Sequence, residues 1–459
     1  MGSCIGIGNC RRIAICGLLT GAVFIGRATH AQGWQLATNL TLKVAVTASE
    51  TYDDNVFILN TKPYPYIVPP TGFTISEPNV SSPVTTITPS LALNYKPCTA
   101  FAAMLSYSPE IVTYHCAQSE DHVTHRGVYN FSGKIQDVTY ESLNNVTYID
   151  GSDSGYITIR PGDCRCVGGI PLRDRRDALI FRDGLRVTFP VKQWFLRPVT
   201  SIYFHNFMTA QYANLAVNKT NYLYDNFIDR WDVNGGLDIG YEAFHNTKLV
   251  VGYRYGHQHQ GTVPTEVPSG SGNVVIQSSP YDNDYQRVLF GFEGNPFSWL
   301  QFAVLAGPDF RSWNYATPTG FDRDEVLCYA DGVITLTPTK NDTFALRVTR
   351  FEQPAYTSQS MYQDIKYNVL WRHKFTSQFT AAAGFTAYYG DWQPPVDRKD
   401  WIYTPTVIAS YAFNSHFSAE ASWLYDNAIS CVPTSPSAPY SPGREYTRNL
   451  VSLGVNYTF

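Results

Sequence analysis

Several features that would mark a common soluble class are missing from this sequence. Of its 459 residues only 16% are charged, the net charge is −4, and no basic stripe with interleaved aromatic residues occurs. This balance gives no reason to expect a nucleic acid as a partner. Helix formers are not abundant, whereas tyrosine (32), phenylalanine (26) and glycine (33) are. The composition therefore favours strands and turns.

Long apolar runs are also missing beyond the N-terminal region. No later uncharged stretch reaches the roughly 18 residues that a transmembrane helix needs. The N-terminal region itself has two arginines and an apolar run within 11–26, followed by the small residues Thr29 and Ala31. This pattern predicts a secretory signal peptide over 1–31, and it fits lipoprotein or twin-arginine export less well. The mature chain, 32–459, is then an exported soluble protein or a membrane β-barrel.

What the mature sequence does contain is alternation. The last eight residues, Ser452–Phe459, read SLGVNYTF, with leucine, valine, tyrosine and phenylalanine on one face and small or polar residues on the other. The same alternation recurs over 231–242, 249–256, 365–372 and 417–426. Strands of ten residues or more are longer than those of most soluble sheets.

The predicted connections alternate between short polar turns and longer loops. Loops rich in proline, glycine, serine and aspartate are predicted at 59–82, 115–125, 151–176, 213–229, 258–282, 313–321, 354–358, 390–398 and 429–443. Short turns separate them, at 96–98, 132–134, 191–193, 244–247, 294–296, 339–342, 374–377 and 414–416. Short turns at one end and long loops at the other are typical of outer-membrane barrels. The sequence therefore predicts an all-β, transmembrane, up-and-down antiparallel β-barrel over 32–459 with about 18 strands, 16 being the alternative count.

The C-terminal stretch also carries a family resemblance. SLGVNYTF resembles the sorting signal of bacterial outer-membrane barrels, with a polar residue, a glycine and two aromatic residues at Ser452, Gly454, Tyr457 and Phe459. The resemblance implies that the barrel assembly machinery captures this strand and closes it on the first one. It also implies periplasmic chaperones, outer-membrane lipid and lipopolysaccharide as partners, in a monomer or homotrimer. The stretches SETYDDNVF, YSPEIVTYH and YIDGSD resemble porin-like outer-membrane barrels, which implies a fold but no particular substrate.

Charged residues occupy the positions that alternate with the apolar face. The inward-facing candidates are Arg182, Arg186, Arg254, Arg287, Arg347, Arg372, Glu242, Glu293 and Glu420. The third long loop adds Arg165, Arg173, Arg175 and Arg176. If this loop folds into the lumen, its arginines favour anions; the alternative is a loop on the rim that binds lipopolysaccharide phosphates or nothing. The predicted function is a porin-like channel for passive diffusion of small hydrophilic solutes.

Other functions have weaker support in the sequence. No Gly-x-Ser-x-Gly motif occurs, and His257 and His259 lack a third ligand at metal-binding spacing, so neither an enzyme nor a metal or other cofactor is predicted. A structural or surface-assembly barrel, such as one associated with polysaccharide export, is the alternative function, and an outer-membrane hydrolase is a weaker one. No plug domain is recognised before the first strand, which argues against active import.

The cysteines and the repeated Tyr-Asp-Asn motifs predict local features. The spacing of the six cysteines after the signal peptide matches no small stapled scaffold. Cys116 is expected at the outer end of the third strand, beside the loop that carries Cys164 and Cys166, so a disulfide from Cys116 to one of these two is the expected pairing if one forms. The Tyr-Asp-Asn motifs at strand ends, such as that at 52–55, are interpreted as an aromatic girdle with turns rather than as a calcium site.

Overall fold

The structure is a computed structural model. It describes residues 33–56, 58, 80–151, 177–208, 228–261, 279–355, 360–394, 397–431 and 445–459, together with the backbone of 67–68, 73–74, 263–266 and 274–277. The predicted signal peptide, the four loop arginines and two of the cysteines named above (Cys164 and Cys166) lie outside the described residues. No helix in the described part of the chain is long and apolar enough to span a membrane.

The described residues form 23 strands and one short 3-10 helix, Gln118–Glu120. The strands are β1 (Trp34–Ala37), β2 (Leu40–Asp53), β3 (Ile67–Val68), β4 (Phe73–Thr74), β5 (Ser82–Cys98), β6 (Phe101–Tyr114), β7 (His122–Ile135), β8 (Val138–Asp150), β9 (Ala178–Val191), β10 (Trp194–Phe207), β11 (Arg230–Phe244), β12 (Thr247–Gln260), β13 (Val263–Glu266), β14 (Val274–Gln277), β15 (Asn283–Phe297), β16 (Leu300–Trp313), β17 (Leu327–Leu336), β18 (Asp342–Pro354), β19 (Met361–Lys374), β20 (Phe379–Trp392), β21 (Arg398–Ala412), β22 (Phe417–Cys431) and β23 (Tyr446–Thr458).

Eighteen of these strands form one closed wall. In the series β2, β5–β12 and β15–β23, each strand pairs antiparallel with the next, and β23 pairs with β2 to close the ring. The other strands are short: β1 runs along β2, and β3–β4 and β13–β14 form separate two-stranded ribbons. The prediction of an 18-stranded up-and-down barrel is therefore confirmed. Because every wall strand has a partner on both sides, the wall has no unpaired edge.

The connections segregate as predicted. The short turns lie at what we call the inner end and the long loops at the outer end. Three turns differ from the prediction. Residues 96–98 belong to β5, with a register shift between Tyr95 and Cys98, so this turn follows at 99–100. Residues 294–296 form a bulge, where Gly294 has a φ of 157° and an added Cβ would lie 2.1 Å from the carbonyl oxygen of Asn246. The turn predicted at 132–134 comes later, because β7 continues to Ile135. The next residue, Gln136, takes a left-handed conformation with a φ of 53°.

The two faces of the wall differ in polarity. In β12, Leu249, Val251 and Tyr253 expose 49%, 50% and 44% of their surface on the outer side, whereas Gly252 and Arg254 alternate with them and face the lumen. Strand geometry with a period of two places these sets on opposite faces. An apolar outer belt around a polar interior is the pattern that lipid requires.

The seam between the first and last wall strands is fixed at its outer end by the predicted 52–55 motif. The Asp53 carboxylate accepts a hydrogen bond from Arg448 Nε at 2.9 Å, and both side chains are fully buried. Beside it, Asp54 accepts hydrogen bonds from the backbone N–H and the side-chain amide of Asn449, at 2.6 and 2.7 Å. The acids of this motif are therefore used to join β2 to β23.

Candidate functional site

The lumen contains a cavity of about 370 Å³ between β8 and β18. It lies nearer the inner end, since Arg197 is three residues from the start of β10 and Val333 is three residues from the end of β17. Its charged lining residues are Arg186, Arg197, Arg254, Arg287, Arg347, Asp238, Glu293 and Asp331. Five arginines therefore converge on one cavity from five different strands.

One side of the cavity is a buried network around Arg197. Its Nε donates to Asp238 at 2.9 Å, and its Nη1 lies 3.0 and 2.9 Å from the two carboxylate oxygens of Glu293. Arg254 forms an ion pair with the other oxygen of Asp238 at 2.7 Å. Gly252 stands opposite Asp238 in the sheet, and an added Cβ there would lie 2.6 Å from that carboxylate. A glycine at this register position therefore leaves the space that the network occupies.

The other side of the cavity is more open. Arg186 pairs with Glu141 at 3.4 Å, and Arg347 pairs with Asp331 at 3.6 Å. The side chains of Arg186 and Arg347 are 27% and 29% exposed, against 9% for Arg197. The charge of Asp331 interacts with those of both arginines, although Arg186 and Asp331 lie on strands that are not neighbours in the wall. These two arginines are therefore the ones that a solute in the cavity would meet.

The hydrogen-bonding capacity of the cavity is unbalanced. Five guanidinium groups carry about 25 N–H donors. Three carboxylates line the same space, and two more, Glu141 and Asp309, pair with Arg186 and Arg287. Such a wall suits a solute rich in acceptor oxygens, and the planar fork of arginine fits a carboxylate or phosphate through two parallel hydrogen bonds. No group of three potential metal ligands occurs among the residues that the structure describes.

Towards the outer end, a second set of polar residues narrows the lumen. This outer cluster consists of Arg230, Gln258, Gln260, Arg311 and Glu352, and all five side chains are buried. Gln258 Nε2 donates to the carbonyl oxygen of Glu352 at 3.0 Å, and Arg311 donates to the same oxygen at 3.0 Å and to Gln258 Oε1 at 2.7 Å. Arg311 Nε also pairs with the Glu352 carboxylate at 3.2 Å.

The outer cluster joins parts of the wall that are not neighbours. Arg230 and Gln260 donate to the carbonyl oxygens of Pro354 and Ala355, at 2.5 and 2.6 Å. These contacts tie β11 and β12 to β18, although β15, β16 and β17 separate β12 from β18 in the sheet. The short β17 makes this approach feasible, because it pairs with β18 only as far as Arg350 and leaves the outer end of β18 free to lean inward. The lumen is therefore constricted above the cavity.

A loop contact lies beside this constriction. Tyr281, just before β15, is fully buried against Phe321 and Met361, and its hydroxyl donates to the carbonyl oxygen of Pro394 at 3.2 Å. Burial raises the pKa of the Tyr281 phenol, so it stays a neutral donor at physiological pH. Three outer connections are therefore packed together on this side of the barrel.

The sequence had named some of these residues and missed others. Arg186, Arg254, Arg287, Arg347 and Glu293 all line the cavity. The remaining wall candidates, Arg182, Arg372, Glu242 and Glu420, do not line it. Arg182 lies over the ring of Tyr203, and Glu420 accepts a hydrogen bond from Ser410 at 2.9 Å. Arg197 was missed, although it alternates with the outward-facing Leu196 and Pro198 in β10, and this alternation was the available signal. The four loop arginines lie outside the described residues, so their role stays a prediction.

Two other predicted features lie away from the cavity. The last strand pairs with the first, and the backbone N–H of Phe459 donates to the carbonyl oxygen of Val44 at 3.0 Å, but the use of Ser452–Phe459 as a sorting signal stays a prediction. Cys116 is exposed and forms no disulfide with another cysteine of the described residues, and its two expected partners lie outside them. The predicted disulfide therefore also stays a prediction.

No protein-family model and no curated protein sequence matches the chain. Among solved structures, the siderophore receptor PiuA from Acinetobacter baumannii is 11% identical with a TM-score of 0.43, over 93% of this chain and 82% of that one. The FrpB iron transporter from Neisseria meningitidis (F5-1 variant) is 11% identical with a TM-score of 0.36, over 92% and 83%. The outer membrane protein opdK from Pseudomonas aeruginosa is 8% identical with a TM-score of 0.41, over 91% and 98%.

The chain has the fold of an outer-membrane β-barrel. At these identities and TM-scores the likeness is one of fold. The predicted function is nevertheless wrong: two of these proteins are named as a siderophore receptor and an iron transporter, not as channels for passive diffusion. The prediction rested on the inward charges, whereas the outer cluster brings β11 and β12 against β18 and constricts the lumen.

Proposed function

We propose that this protein is an outer-membrane transport protein that carries a small anionic solute by binding it in the lumen. The observation that carries the proposal is the convergence of five arginines on one cavity beneath a constriction. A solute that crosses such a barrel has to exchange contacts with the wall at each step, so its passage depends on specific binding.

The dimensions and polarity of the cavity support a small, oxygen-rich solute. A volume of about 370 Å³ is at the lower end of the range for ligand pockets. Arg186 and Arg347 offer guanidinium groups that are partly exposed to the cavity, so they can rearrange their hydrogen bonds towards a ligand without first leaving a buried carboxylate. A compact organic acid or phosphate ester meets both requirements.

The location is supported by the outer face of the barrel and by the N-terminal sequence. The wall presents an apolar outer belt, and the signal peptide predicted over 1–31 would direct export. The expected partners, which are outer-membrane lipid, lipopolysaccharide, chaperones and the assembly machinery, belong to the same proposal.

The test is solute uptake into liposomes that contain the refolded full chain. We expect small carboxylates or phosphate esters to enter with saturable kinetics and to compete with one another, whereas neutral sugars of similar size should enter more slowly. Arg186→Gln and Arg347→Gln should each raise the half-saturating concentration by about tenfold or more, because a charged hydrogen bond is worth about 1.5–3 kcal/mol.

The matched control is Arg372→Gln, which makes the same change on a side chain that does not line the cavity. Its uptake kinetics should equal those of the wild type. Uptake that rises linearly with concentration, with equal rates for anions and neutral sugars, would contradict the proposal.

A further inference from the structure

The lipid-facing side of β9 carries a carboxyl group in the middle of the apolar belt. Asp183 is the sixth residue of this 14-residue strand and shares the outer face with Phe181 and Leu185. The ring of Phe181 contacts that of Phe204, which is 42% exposed on the outside, whereas Arg186 faces the cavity. Lipid tails offer no hydrogen-bonding group to such a side chain.

Two other polar side chains of the outer face form hydrogen bonds within the chain. The amide nitrogen of Asn144, next to Asp183 in the sheet, donates to the carbonyl oxygen of Tyr129 at 2.8 Å. The hydroxyl of Tyr253 donates to Gln286 Oε1 at 3.1 Å. Asp183, by contrast, has no hydrogen-bond or ion-pair partner among the described residues. The described part of the chain therefore leaves the Asp183 carboxyl group without a partner.

Small residues lie near Asp183 on β10 and β11, so a second molecule can approach this surface closely. On the neighbouring strand, Thr200 faces outward and is exposed, and its hydroxyl has no partner in the described part of the chain. Gly235 lies opposite Thr200, and an added Cβ there would come no nearer than 3.9 Å to any atom. The packing of the chain itself therefore does not require glycine at 235, whereas a second surface pressed against this one would benefit from it.

We propose that this surface is the contact between two copies of the chain, related by a two-fold axis along the membrane normal, with the two Asp183 side chains facing each other. A neutral carboxyl group, the form that hydrocarbon tolerates, has one donor and one acceptor. Two identical groups at the same depth can therefore satisfy each other through two O–H···O hydrogen bonds. Two-fold contacts are self-complementary in this way, and they are the commonest in homo-oligomers. This contact is independent of the transported solute.

The first test measures the oligomeric state of the full chain in mild detergent and in nanodiscs by native mass spectrometry. We expect a dimer for the wild type. Asp183→Asn should remain dimeric, because an amide also has a donor and an acceptor, whereas Asp183→Leu should raise the dissociation constant at least about tenfold. Val407→Leu, an apolar change on a distant outward-facing position of β21, is the control and should remain dimeric.

The second test uses cross-linking in native membranes, which does not depend on detergent. In a chain whose other cysteines are replaced by serine, Asp183→Cys should form a symmetric disulfide-linked dimer, whereas Val407→Cys should not. Heat-modifiable migration on gels verifies that each variant is folded. A monomeric wild type, an oligomer that Asp183→Leu leaves unchanged, or a cross-link from the Asp183→Cys variant to a different protein would each overturn the proposal.

Discussion

The ion pair at the seam allows a quantitative prediction. Asp53 and Arg448 are both fully buried and come from the first and last wall strands, 395 residues apart in the chain. Asp53→Ala removes the carboxylate that accepts hydrogen bonds from Arg448 and leaves a fully buried guanidinium group with less compensating negative charge; Asp426, opposite Arg448 in the sheet, supplies what remains. The loss for breaking a buried pair in this way is about 3–5 kcal/mol, which is a factor of at least about 100 in the unfolding equilibrium.

A double variant separates the charge of the pair from the rest of the seam. The variant Asp53→Leu/Arg448→Met removes both charges and keeps apolar volume, so we expect it to be more stable than Asp53→Ala by about 2 kcal/mol or more. It should not regain all the stability of the wild type, because Asp53 also accepts a hydrogen bond from the backbone N–H of Asn55 at 3.0 Å. The matched control is Asp137→Ala, which breaks an exposed pair with Lys134 and should cost less than about 1 kcal/mol.

The assay is equilibrium unfolding in urea of protein folded into lipid vesicles, followed by tryptophan fluorescence and by heat-modifiable migration on gels. If Asp53→Ala costs no more stability than the exposed control, the buried pair does not stabilise the seam. If the double variant is less stable than Asp53→Ala, the buried charge is not the source of the loss.

Two further predictions concern the lumen and assembly. Replacing Gln258 and Gln260 by alanine removes two amides that tie β12 to β18, so single-channel conductance in planar bilayers should rise above that of the wild type. The outward-facing change Gln286→Ala is the control and should leave the conductance unaltered. Equal conductance in all three proteins would mean that these contacts do not limit the lumen. Replacing Tyr457 and Phe459 by serine should sharply lower the amount of barrel in the outer membrane while export continues, as measured by cell fractionation, and normal barrel levels would exclude the sorting role.

The sequence by itself determined the wall of this protein. Alternation with a period of two is a property of the local backbone, so it identified the outward-facing residues of β12, β19 and β23 and the lumen-facing Arg254 and Arg287 without knowledge of the fold. The order of short and long connections likewise predicted about 18 strands, with 16 as the alternative, and the wall has 18. The misplaced turn at 294–296 shows the limit of this reasoning, since a bulge and a turn use the same residues and only strand register distinguishes them.

The tertiary structure alone decided which inward-facing residues meet. Arg197 binds Glu293 from 96 residues away, and Gln258 reaches Glu352 across three intervening strands. These contacts depend on how the strands are staggered when the ring closes and on how far β18 leans inward beside the short β17. Periodicity places a side chain inside the barrel, but it carries no information on what stands opposite. That is why the sequence predicted the polar lumen of a channel but not the contacts between β12 and β18 that constrict it.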